Sequence, residues 1–170
     1  MISIEPQMGN RLINSGPVLI LSSRLDARMN LMPVSWLTWI SCDPPLVGVS
    51  VAPNRFSHDI IRRSGDFVLN VPTAEHVPLL HQLGTTSGRD VDKLRVFDVP
   101  TLWGRTVKAL TVSTAIGSLE CEVKEYTRIG DHGFFIARVL YAAVDEEVWD
   151  GHWTEEAELV YYLGADKYLT

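Results

Sequence analysis

At 170 residues, 46% hydrophobic and 21% charged, the chain has the composition of an ordinary globular protein. It is long enough to bury a core without disulfide or metal staples, and one domain over residues 1–170 is the expectation. A net charge of −6 argues against a nucleic-acid partner, and no apolar run nears the roughly 20 residues that span a bilayer.

The elements follow in chain order. The start, Met1-Ile2-Ser3-Ile4-Glu5-Pro6, lacks the basic-then-apolar pattern of a signal peptide. Pro17–Ser23, Leu31–Ile40, Leu46–Ala52 and Phe67–Val71 read as strands, rich in β-branched or aromatic residues and bounded by turn formers. Asp43-Pro44-Pro45 separates the second from the third. Ser57 is positioned to cap a helix running to about Arg63, with Gly65 as its stop. Thr73 caps a second helix, ending at Gly84 and burying Val77, Leu80 and Leu83, and a short turn follows at Asp90–Leu94. In Ser118–Tyr126, Leu119, Cys121 and Val123 alternate with Glu120, Glu122 and Lys124, the period-two mark of a strand with one wet face. Gly130-Asp131-His132-Gly133 turns the chain into a returning strand, Phe134–Val144, and Leu159–Leu163 is the last strand. The sum is a mainly β, antiparallel barrel with two or three short helices.

Several chemistries are missing. There is no GxG spacing for a dinucleotide or phosphate loop, no HExxH, and no metal spacing among the five histidines. Gly48-Val49-Ser50-Val51-Ala52 lacks the strand-to-helix turn at its serine that a nucleophile elbow requires. Cys42 and Cys121 form no CxxC, so a reduced, cytoplasmic protein is expected.

Three segments carry more. Arg55 and Ser57 stand where a strand turns into a helix, and helix starts attract anions; the plain alternative is an ordinary cap with a solvated arginine. Thr85-Thr86-Ser87-Gly88-Arg89-Asp90-Val91-Asp92-Lys93 puts hydroxyls, a glycine and a lysine in one loop, suited to a sugar-phosphate chain or simply to solvent. Asn30-Leu31-Met32-Pro33-Val34-Ser35-Trp36-Leu37-Thr38-Trp39 offers a flat apolar surface beside backbone groups, or a core strand with packed tryptophans.

These segments in this order, with Asp43-Pro44-Pro45-Leu46-Val47-Gly48, Phe67-Val68-Leu69-Asn70-Val71-Pro72 and Gly130-Asp131-His132, resemble the flavin reductase-like, FMN-binding split-barrel family, its flavoredoxin branch most closely. The similarity spans about residues 17 to 165. It implies a split barrel, a homodimer, and FMN reduced by NADH or NADPH, with free flavin, ferric chelates or a partner redox protein taking the electrons. A flavin-holding electron carrier without its own nicotinamide site is the other reading. The resemblance places Ser35, Trp36, Leu37 and Thr38, and the backbone of Ser50, Val51 and Ala52, along the flavin. Arg55, Ser57 and His58 would approach its phosphate, and Ser87, Gly88, Asp90 and Lys93 would close over the ribityl-phosphate side. His132 would lie near the hydride-exchange face, where a structural hydrogen bond in the turn is the alternative. The chain departs from the family pattern with Pro33 in place of a common threonine and with a bulky Trp39, and Trp149-Asp150-Gly151-His152-Trp153 matches no family motif.

Overall fold

The computed structural model describes residues 5–8, 10–13, 16–164 and 167–170. A short helix, α1 (Asn10–Ile13), precedes a hairpin of β1 (Leu19–Leu25) and β2 (Arg28–Val34). The hairpin turns through Asp26 at φ 55°, a left-handed conformation that aspartate tolerates. β3 (Leu37–Cys42) and β4 (Pro45–Val51) form the next hairpin, and α2 (Phe56–Ser64) leads into β5 (Asp66–Val71). Then come α3 (Val77–Thr85), α4 (Lys93–Val96), and a small hairpin of β6 (Thr101–Trp103) and β7 (Leu110–Val112). The long hairpin of β8 (Gly117–Ile129) and β9 (His132–Val144) follows, and β10 (Tyr161–Gly164) pairs with β11 (Lys167–Leu169) apart from the main sheet.

Seven strands form one antiparallel sheet in the order β2-β1-β5-β8-β9-β4-β3. Its two edge strands, β2 and β3, are consecutive in the chain. The predicted strand over Leu31–Ile40 is therefore two strands, separated by a corner at Ser35-Trp36 that carries the chain from one edge of the sheet to the other. Because only Ser35-Trp36 joins the two edge strands, the sheet must curl to bring them together at that corner, and the result is a barrel with its seam between β2 and β3. Pro33 sits without penalty on the edge strand β2, where its missing N–H interrupts no ladder on the open side.

Inward side chains fill the barrel: Leu21, Val49, Phe67, Leu69, Cys121 and Phe135 are all essentially inaccessible. Each buried aromatic of this kind contributes roughly 1.5–3 kcal/mol of transfer free energy. A second cluster, with Ile20, Leu31, Leu80, Leu83 and Val112, packs α3 and β7 on the outer face. Leu80 and Leu83 are buried as the sequence predicts, and Pro78 falls in the first turn of α3, where its missing N–H costs little.

Two local expectations are corrected. Ser57 does not cap α2: Arg55 holds the cap position, and Ser57 lies inside the first turn, fully buried, with its hydroxyl accepting a hydrogen bond from Asn30 Nδ2 at 2.8 Å. Glu120 does not face water. The 104–109 loop between β6 and β7 lies over it, and its carboxylate accepts the N–H groups of Arg105 (2.7 Å) and Thr106 (2.6 Å) and the Thr106 hydroxyl (2.6 Å). Asp66 and Asn70 anchor the same region by accepting the N–H groups of Lys108 and Ala109 and of Val112, respectively. Among the described residues no helix is long and apolar enough to cross a membrane.

Candidate functional site at the barrel seam

Strand register gathers three connections at one end of the barrel. Leu37 pairs with Val49 and Val51 with Gly133, so the β2–β3 corner, the turn from β4 into α2, and the β8–β9 turn are neighbours. The loop between α3 and α4 folds down beside them and encloses a cleft of about 290 Å³.

One wall of the cleft is β2, with Asn30, Met32 and Pro33. The opposite wall is the start of α2 with Asn54, Arg55, Phe56 and Ser57. The loop supplies Thr85, Thr86, Ser87, Gly88 and Arg89, and α4 adds Lys93. Three cations and four hydroxyls thus line the cleft, and among the described residues no carboxylate does. No side chain caps the start of α2, so its backbone donors and the positive end of its dipole favour an anion there.

The cleft is held by buried polar contacts. Lys93, 3% exposed, donates from Nζ to the carbonyls of Leu31 (2.9 Å) and Leu83 (2.7 Å), bracing β2 against the end of α3. Burial, and then the neighbouring Arg55 cation, pull its ammonium down to about 8. Asn30 is equally buried; a Cβ on Gly88 would lie 2.0 Å from its Oδ1, so only glycine lets the loop approach β2 this closely. Arg89 crosses the mouth, donating from Nη1 to the Asn54 carbonyl at 2.8 Å with its guanidinium over the Phe56 ring.

At the corner, the Trp36 carbonyl accepts the Ser50 N–H at 2.9 Å, and the Trp36 ring lies 4.6 Å from that of His132. His132 Nδ1 is 2.8 Å from the Asp131 carboxylate. When the ring is neutral, that bond fixes the proton on Nδ1 and leaves Nε2 as the acceptor.

Of the residues singled out from sequence, Arg55, Ser57, Ser87, Gly88 and Lys93 come together in the cleft. Ser35 and Trp36 continue β2 directly beyond it. Seven others are not among the residues that line it. His58 does not line the cleft: it is buried on another side of α2, its Nε2 3.2 Å from the Tyr126 hydroxyl and its ring edge-on to Phe135. Its pKa is lowered by burial and then by Arg62. Asp90 faces a separate outer groove. Leu37 and Val51 turn into the barrel core. Thr38 is exposed, and Ser50 has its N–H already engaged by Trp36, while the Ala52 carbonyl accepts the Arg55 N–H at 2.9 Å. Asn30, Thr85, Thr86 and Arg89 also line the cleft; they stand in the segments read from sequence, which assigns them no individual role. Asn30 opens the Asn30–Trp39 segment, yet its role depends on Ser57, which is 27 residues away.

Comparison with known proteins identifies the family and the fold. Residues 11–169 match the flavin reductase like domain family. An uncharacterized protein of Pyrococcus abyssi is 34% identical over 78% of this chain and 76% of its own length. An NADH-dependent flavin reductase of a Rhodococcus species is 30% identical over 81% of this chain and 69% of its own. Among solved structures, an FMN-binding protein of Thermus thermophilus with 1-cyclohex-2-enone bound superposes with a TM-score of 0.85 at 30% identity, covering 99% of this chain and 93% of that one.

Proposed function

This chain belongs to the flavin reductase-like family, and from that premise we propose that it binds FMN at the seam and passes electrons from NADH or NADPH through it to a second acceptor. The observation that carries the reading is the cleft's donor set: Arg55, Arg89 and Lys93 with four hydroxyls, at an uncapped helix start, with no carboxylate among the described residues. A phosphate monoester on a polyhydroxyl chain fits such a set. The Rhodococcus relative supports NADH as the donor.

When bound, the flavin supplies the two-electron chemistry, which no side chain here needs to perform. The chain's own residues bind and orient. Arg55, Ser57 and Ser87 would hold the anionic end, while the absence of a side chain at Gly88 lets the loop close on it. Met32, Pro33 and the Ser35-Trp36 corner form an apolar wall beyond, and His132, held by Asp131 and Trp36, marks the face where a hydride donor would approach. The chain would act as a homodimer, a reading supported by the exposed Trp39 (50%) and Ile40 (41%) on the free edge strand β3.

The test is direct. Purified protein is mixed with FMN and NADH, and the absorbance of both is followed. Catalytic loss of NADH supports the reductase. Tight flavin with no NADH oxidation would leave an electron carrier, and no flavin uptake at all would refute the assignment.

A further inference from the structure

The anion cleft shares a wall with a second cavity. Phe56, Gly88 and Arg89 line the cleft on one side and, on the other, line an outer groove of about 550 Å³. The two cavities differ in charge. The cleft has three cations and no carboxylate among the described residues, whereas the groove carries Asp59, Asp90 and Asp92 against Arg28 and the shared Arg89.

Arg89, with Phe56 and Gly88, forms the partition between them. The Arg89 guanidinium is tied to the Asn54 carbonyl at 2.8 Å and lies 5.4 Å over the Phe56 ring, while its N–H donates to Ser87 Oγ at 3.2 Å. The α3–α4 loop is thereby latched to the turn that opens α2. A ligand whose anionic end terminates in the cleft needs nothing beyond this latch. A ligand that continues past its first phosphate must displace Arg89 from Asn54 and Phe56, and must set its second phosphate among three carboxylates.

FMN is the first kind of ligand and FAD the second, because FAD extends the same phosphate into a pyrophosphate bearing adenosine. We infer that this chain selects the flavin mononucleotide over the dinucleotide, with Arg89 as the bar and Asp59 and Asp90 as the charges that repel a second phosphate. The inference rests on the flavin reading above, and it names the determinants of specificity within that site. Asp92 is left out of the test because its carboxylate caps α4, accepting the Arg95 N–H at 3.3 Å. Asp59 and Asp90 are exposed, so their amides do not threaten the fold.

Calorimetric titration of the full chain with riboflavin, FMN and FAD at low ionic strength tests it. FMN is expected to bind at least about tenfold more tightly than FAD, a contrast of the size that like-charge juxtaposition produces. The Asp59→Asn/Asp90→Asn variant should gain FAD affinity and narrow the ratio about threefold or more, as should raising salt from about 0.02 to about 0.5 M, which screens exposed charges. Arg89→Ala also removes a cation from the phosphate site, so it is read on FAD alone, whose affinity should rise as the partition opens, with melting temperature confirming that each variant is folded. FAD binding as tightly as FMN to the unaltered chain would overturn the selectivity, and a ratio that neither variant moves would overturn its assignment to Arg89, Asp59 and Asp90, in both cases leaving the flavin site intact. Failure of all three flavins to bind would overturn both readings together.

Discussion

His58 and Tyr126 meet in a hydrogen bond of 3.2 Å directly beneath Gly133, where the buried side of α2 packs on the β8–β9 hairpin. A Cβ at position 133 would lie 2.6 Å from both His58 Nε2 and the Tyr126 ring. Gly133→Ala should therefore force the pair apart and destabilise the fold by about 1–3 kcal/mol, as overpacking does. Urea unfolding measures the loss. An unchanged midpoint would mean that the contact is not tight.

The same histidine makes stability depend on pH. Burial and Arg62 lower its pKa in the fold, so between that value and the ordinary 6.5 the unfolded chain binds the proton more readily. Stability should be fully present above pH 6.5 and decline as pH falls through this window. His58→Gln should flatten that part of the profile. His76, also lowered by burial and bonded to Thr73 and Thr114, supplies the residual slope.

Glu120 should dominate behaviour at lower pH. Burial pushes its carboxyl up, but the Thr106 hydroxyl and the N–H groups of Arg105, Thr106 and Val107 outweigh burial and hold it below the ordinary range. Its contribution is present above the unfolded value and lost as pH falls through the folded one. Glu120→Ala at neutral pH should cost about 2–3 kcal/mol, the range for hydrogen bonds to a charged group left without its partner. Denaturant unfolding of the variant and the parent at neutral pH checks this.

Lys93 links flavin affinity to alkaline pH. Its ammonium titrates at about 8 in the free protein, and a nearby anion would stabilise the charged form. FMN should bind with proton uptake near that pH and weaken as pH rises from neutral to about 9.5, with the slope removed in Lys93→Met. The free chain should behave in the opposite sense. The unfolded lysine keeps its proton to 10.5, so folded stability rises between about 8 and 10.5. Calorimetry in two buffers of different ionisation enthalpy detects the proton.

Gly88→Ala probes the loop. The added methyl would strike Asn30 Oδ1, so the loop must lift from β2, and FMN affinity should fall by about tenfold or more at a modest cost in stability. Equal affinity in the variant would show that the loop does not shape the binding cleft.

Much of the barrel was legible in the sequence because its signals are local. The alternation from Leu119 to Val123 and the turn at Gly130 specify the β8–β9 hairpin, and Gly65 at φ 78° ends α2 where the glycine predicts. Signals that depend on distant partners were not legible. Ser57 reads as a cap until Asn30 claims its hydroxyl, and Glu120 reads as solvated until a loop before it in sequence folds over it. β6 and β7, three residues each, are too short to show any period. The break at Ser35-Trp36 is invisible because both flanks are equally strand-forming; the closure of the whole sheet, and no local feature, decides where the corner falls.

That corner also acts as a spine. Only two residues separate the strands bordering the seam, and a fully extended chain from Val34 to Leu37 reaches about 11 Å. The seam is therefore tethered covalently at that end, and its two edges cannot part there by more than that reach.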